Sequence, residues 1–160
     1  MSAHAPPAAG PAPSGPQLTR LAVSATLHCL TGCAIGEILG LVLATWWNWS
    51  TAPSIVLAII LAFFFGYSLT VVPVLRSGVP LRRAIAIALA ADTLSIVTME
   101  IMDNAVVLAV PGAMSAGLGD LLFWGSLLAS LVVAFVVTVP VNRALIARGR
   151  GHAVVHEFHG

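Results

Sequence analysis

Hydrophobic residues in this chain do not alternate with polar ones but run in four long blocks divided by short polar breaks. The first runs from about Leu21 to Trp47, the second from Ser54 to Leu75, the third from Ala84 to Val110 and the fourth from Leu118 to Ile146. Each supplies the roughly 20 residues a helix needs to cross a hydrocarbon core ~30 Å thick. The breaks, NWSTAP, RSGVPLRR and PGAMSAGLGD, carry the Pro, Gly, Ser and Asn of turns. The pattern predicts an all-α, polytopic membrane protein with four transmembrane helices in an up-down-up-down bundle. Ahead of it, residues 1–17 (MSAHAPPAAGPAPSGPQ) are too rich in Pro, Ala and Gly to pack a core and read as a disordered tail. No basic residue precedes the first apolar block except Arg20 at its very edge, so the start is a poor signal peptide. Residues 18–147 then form the transmembrane domain and residues 148–160 a His-rich tail.

Composition agrees with the pattern: 59% of the 160 residues are hydrophobic and 8% charged, outside the range of soluble domains. A net charge of +1 gives no basis for nucleic-acid binding. Charge placement is more informative. The chain has no lysine, and its arginines are Arg20, Arg76, Arg82, Arg83, Arg143, Arg148 and Arg150. With four spans, all seven fall on the side of the N-terminus, the second-to-third loop and the C-terminus. The positive-inside rule makes that side cytoplasmic, and Trp46, Trp47 and Trp49 then form an aromatic anchor at the outer interface.

Several polar residues lie within the blocks. At ~1.5 Å per residue, Cys29 is about 13 Å along the axis from Arg20, and Asp92 about 13 Å from Arg83. Glu37 and Glu100 are each about 25 Å beyond the same arginines. The first and third helices both run outward. His28, Cys29 and Asp92 therefore share an inner level, Glu37 and Glu100 a farther one, with Asp103 and Asn104 near the outer end. At roughly 100° per residue, Cys29, Cys33 and Glu37 share one face, while His28 joins it only if its ring swings across. On the third helix Asp92, Met99 and Asp103 form a narrow stripe with Glu100 beside it. Such stripes point into a bundle or an oligomer interface. Gly32, Gly36 and Gly40 form a small-xxx-small ladder that admits another backbone closely, from the third helix or a second copy.

Glu37, Asp92, Glu100 and Asp103 have no Lys or Arg at comparable depth. A buried carboxylate without a cationic partner takes up a proton or binds a cation, unless it serves as protonated polar glue between helices. Cys29 and Cys33, at i and i+4, suit a soft cation shared between thiolates, with copper(I) and zinc as natural candidates beside His28 and Asp92. Against this, a buried Cys packs much like a small apolar residue. The pair cannot easily close an unstrained disulfide. In GHAVVHEFHG, His152, His156 and His159 form a second candidate metal cluster on the cytoplasmic side, or simply a solvated tail.

The segments HCLTGCAIGEILG, FGYSLTVVPVLRSG, ADTLSIVTMEIMDN, PGAMSAGL, FWGSLLASL and PVNRALIARGRGHAVVHEFH resemble a family of small bacterial four-helix membrane proteins, a domain of unknown function (DUF4396). The resemblance extends from Leu18 to His159. It implies a bacterial inner-membrane location and a four-helix fold, and brings no activity or substrate.

Function is therefore read from the residues. The leading expectation is handling or transport of a transition-metal cation, copper or zinc, by His28, Cys29, Cys33 and Asp92, with Glu37, Glu100 and Asp103 as outer steps and His152, His156 and His159 as a cytoplasmic exchange site. Several moderate sites suit conduction better than one tight site. Two alternatives are an accessory or assembly subunit of a larger membrane complex, and a proton-coupled carrier that uses only the carboxylates. No Ser/His/Asp order, phosphate loop, dinucleotide fingerprint or HExxH helix points to an enzyme. Four helices are few to line a pore, so a homo-oligomer is expected.

Overall fold

In the computed structural model of the protein, residues 14–148 are described. They form four long helices: α1 (Gly15–Trp46), α2 (Thr51–Arg76), α3 (Leu81–Ala109) and α4 (Leu121–Ala147), with a single 3-10 turn (Ala113–Ser115) between α3 and α4. All four are long and apolar enough to cross a membrane. The blocks read from hydrophobicity are thus the helices, and the chain is a multi-pass membrane protein.

The connections are short and stop each helix by recognisable means. Asn48 follows α1 at a φ of 53°, a left-handed conformation that Asn tolerates. Gly78 follows α2 at a φ of 86°, where a side chain would be strained, and Pro80 caps the start of α3. Pro73 and Pro140 lie inside α2 and α4. Each removes one backbone donor, which transmembrane helices tolerate where neighbours re-satisfy the freed carbonyl.

Adjacent helices pack side by side in the order α1, α2, α3, α4 and back to α1, with the α1–α3 diagonal across the centre. The closest seam lies between α1 and α2. A Cβ added at Gly32 would meet the Gly66 backbone at 2.6 Å, and one at Gly40 the Ala58 Cα at 2.6 Å. At Gly36 it would run into the backbone of Leu61 and Ala62. The glycine ladder is therefore filled by Ala58, Ala62 and Gly66 of α2, rather than by α3 or a second copy. The physical reason is complementarity. Antiparallel α2 offers its own small residues at the same four-residue spacing, so both backbones come close at once.

Of the tail expected over residues 1–17, residues 1–13 lie outside the described residues. Helix α1 begins at Gly15, and Pro16 sits in its first turn, where a missing N–H leaves no bond unmade. Leu18 is buried against Ile146 of α4, which anchors that turn. Among the described residues, all arginines are exposed and lie at one end of the bundle, while Trp46, Trp47 and Trp49 lie at the other. These are called the arginine end and the tryptophan end below.

Candidate functional site

The arginine half of the bundle is tied together by polar contacts between every pair of neighbours. His28 Nε2 lies 3.2 Å from Thr70 Oγ1, joining α1 to α2. Tyr67 and Thr93 hydroxyls meet at 2.9 Å, joining α2 to α3. Ser95 donates to Asn142 Oδ1, joining α3 to α4. Asn142 Nδ2 donates to Thr26 Oγ1 at 2.9 Å, joining α4 to α1. Across the diagonal, the Cys29 thiol donates to Asp92 Oδ1 at 3.7 Å, so the two residues placed at equal depth by residue counting do meet. His28 meets α2 through Thr70.

The tryptophan half is arranged differently. Glu37 from α1 faces Asp103 from α3, and Cys33 lies within electrostatic reach of Glu37 and Glu100. The three acids are 5–6% exposed. Glu37 Oε2, both oxygens of Glu100 and Asp103 Oδ1 have no hydrogen-bond partner among the described residues. Hydroxyls are near. Ser130 donates to the carbonyl of Leu127 at 2.8 Å and stands within hydrogen-bonding reach of Asp103. Ser126 likewise donates to Phe123 of its own helix, and Asn104 Nδ2 to the Glu100 carbonyl at 2.8 Å.

Glu37, Glu100 and Asp103 line one cavity of about 230 Å³, which also meets Thr45, Trp49, Leu118 and Phe123 towards the tryptophan end. All four helices and the α3–α4 loop contribute to its wall. The acids reach it because α1 and α3 lie diagonally across the bundle, so their inward stripes share the central space. Beneath them, Cys33, Cys29 and Asp92 continue the polar file towards the arginine end, packed with Ile96 and Met99.

Of the residues singled out in the sequence, Cys29 and Asp92 form one contact group, and Cys33, Glu37, Glu100 and Asp103 a second. His28 meets Thr70 of α2. His152, His156 and His159 lie outside the described residues. Among the described residues, no group of three or more His, Cys, Asp or Glu side chains is arranged to hold a metal ion. Asn142, Ser95, Thr26 and Ser130 were missed. For Ser130 and Asn142 a signal was present on α4, where Ser126, Ser130, Ala134, Thr138 and Asn142 recur every four residues and are all buried. Thr138 Oγ1, on that stripe, has no hydrogen-bond partner among the described residues.

A family model described as a domain of unknown function (DUF4396) matches residues 19–151. The match ends before the three tail histidines, short of the His159 boundary expected from the resemblance. No curated protein and no solved structure matches the chain.

Proposed function

Since the chain belongs to the family of the domain of unknown function DUF4396, we propose its function from its own buried residues: it is an integral membrane protein that exchanges cations, in the first place protons, at Glu37, Glu100 and Asp103. The observation that carries this reading is a set of buried acids between apolar helices that line a cavity, four of whose carboxyl oxygens have no hydrogen-bond partner among the described residues. A carboxyl in such a place is stable with a proton or a cation on it and costly without either. A site that alternates between the two can couple proton movement to cation movement. The arginine distribution supports a cytoplasmic arginine end and a cavity on the outer side, in a bacterial inner membrane as the family resemblance implies.

A second reading, handling of copper or zinc, is favoured by Cys33 beside the acids and Cys29 one turn further in. Thiolates bind these metals well, and in this reading the acids pass the metal to the cysteines. The site is formed within one copy of the chain, so neither reading requires the homo-oligomer expected from helix number.

The test is reconstitution into vesicles that enclose a pH-sensitive dye. Imposed gradients of potassium, zinc or an organic cation are applied to the wild type and to the Glu100→Gln and Asp103→Asn variants. Proton movement that depends on a cation gradient and falls roughly tenfold or more in both variants is expected. Zinc movement that depends on Cys33 would favour the metal reading. No movement and no cation binding would favour the accessory-subunit alternative.

A further inference from the structure

The cavity is far larger than its acids alone require. Its volume is about 230 Å³, whereas roughly 10–15 Å³ of such space holds one water. A proton or a bare metal ion needs little of this room. The wall above the acids is largely apolar, with Leu41, Ile59 and Val107 on three helices and Trp49 near the tryptophan end. Apolar walls around a few convergent polar groups are the usual make-up of a site for an organic molecule.

The acids say what its polar end must be. Glu37, Glu100 and Asp103 are each more than nine-tenths buried. Four of their oxygens accept no hydrogen bond from the described residues. A complementary group carries positive charge to offset the carboxylates and several N–H donors to satisfy them. A protonated primary amine carries both, with three donors on one nitrogen. A quaternary ammonium has the charge without donors, and an alcohol has one donor without charge.

We infer that the cavity binds a lipophilic primary amine in its protonated form, its ammonium among Glu37, Glu100 and Asp103 and its apolar body against the wall. An aromatic face such as that of Trp49 near a cation adds a modest attraction on entry. This rests on reading the acids as a cation site and adds the class of cargo.

The probe is radiolabelled benzylammonium, measured by equilibrium dialysis against the full chain purified in detergent. Zinc binding and acid-dependent proton release are followed on the same samples. Saturable benzylammonium binding is expected. Benzyltrimethylammonium and benzyl alcohol should compete roughly tenfold or more less well than unlabelled benzylammonium. Glu100→Gln should weaken binding by at least about tenfold. Val107→Trp narrows the cavity while keeping all three carboxyl residues, so it should weaken amine binding by at least about tenfold. Both variants are compared with wild type for helix content and a single elution peak, and Asp103→Asn replaces Glu100→Gln if the latter does not fold. Binding that never saturates, or is equal in Glu100→Gln, or is displaced as well by benzyl alcohol, overturns the inference. Proton release or zinc binding without amine binding overturns it too, and leaves the cation-exchange reading standing. The absence of all three removes both.

Discussion

The two halves of this bundle treat buried polarity in opposite ways. Near the arginine end, a hydrogen-bonded contact joins each pair of adjacent helices, and Asn142 alone serves two of them. Near the tryptophan end, four carboxyl oxygens of Glu37, Glu100 and Asp103 have no hydrogen-bond partner among the described residues, while Ser126 and Ser130 donate to their own helices. Polar groups that hold helices together in lipid are satisfied by one another, because nothing else there can satisfy them. On the proposed reading, the polar groups left open beside the cavity await something that enters it. The difference then separates residues that build the bundle from those proposed to work in it, although all look alike as polar positions in apolar sequence.

The largest expected effect comes from the α1–α2 seam on which both halves depend. Gly36 stands between the Cys33 and Glu37 levels, and any Cβ there meets the backbone of Leu61 and Ala62. Backbone cannot move aside as a side-chain tip can. Gly36→Leu should therefore cost more than about 3 kcal/mol and leave no monodisperse helical protein in detergent. Gly125→Ala is the control, since a Cβ there meets nothing within 4 Å. It should elute and melt as the wild type does. A well-folded Gly36→Leu protein would show that the seam is not as close as described and would remove the common frame of the two halves.

What was legible beforehand follows the same division. Span number, the single arginine end and the equal depth of Cys29 and Asp92 follow from residue counting, since helix rise is fixed whatever the neighbours do. The partner of the glycine ladder needed a comparison of helices. Ala58, Ala62 and Gly66 carry the matching spacing on α2, but an apolar helix rich in alanine gives little reason to prefer it over α3 or another copy. Asn142 was overlooked because one amide near a helix end reads as interfacial. Only the packing of α4 against α1 and α3 turns it inward. The cavity had no signature at all in the sequence, because it is a gap set by the spacing of four helices and a loop.

An intermediate effect tests the halves against each other. Asn142→Leu leaves Ser95 and Thr26 without their inter-helix partner and should lower stability by about 1–2 kcal/mol, read as a lower melting temperature in detergent. Glu100→Gln removes a buried acid whose carboxyl oxygens have no hydrogen-bond partner among the described residues. It should melt at or above the wild-type temperature, since the neutral amide never incurs the cost of a buried carboxylate charge. The opposite order of melting temperatures would make the acids the structural element and the amide dispensable, and would invert the comparison.

The smallest effect falls on the cysteines, which lie where the two halves join. The Cys29 thiol makes a long contact with Asp92 at 3.7 Å, and Cys33 packs with Met99 and Ala62 in the central apolar cluster. Sulfur there fills space and donates weakly. Cys29→Ser and Cys33→Ser should each shift stability by less than about 1 kcal/mol. Under the carboxylate reading, cation-dependent proton movement should be unchanged, because neither thiol is needed to hold the proton. Metal content after zinc or copper loading, measured by mass spectrometry, gives the contrary arm. Metal bound by the wild type and lost in either variant would extend the working half of the molecule inward, past Cys33 to the Cys29–Asp92 contact. The boundary between what holds the bundle and what works within it would then lie one helical turn deeper, at Thr26 and Asn142.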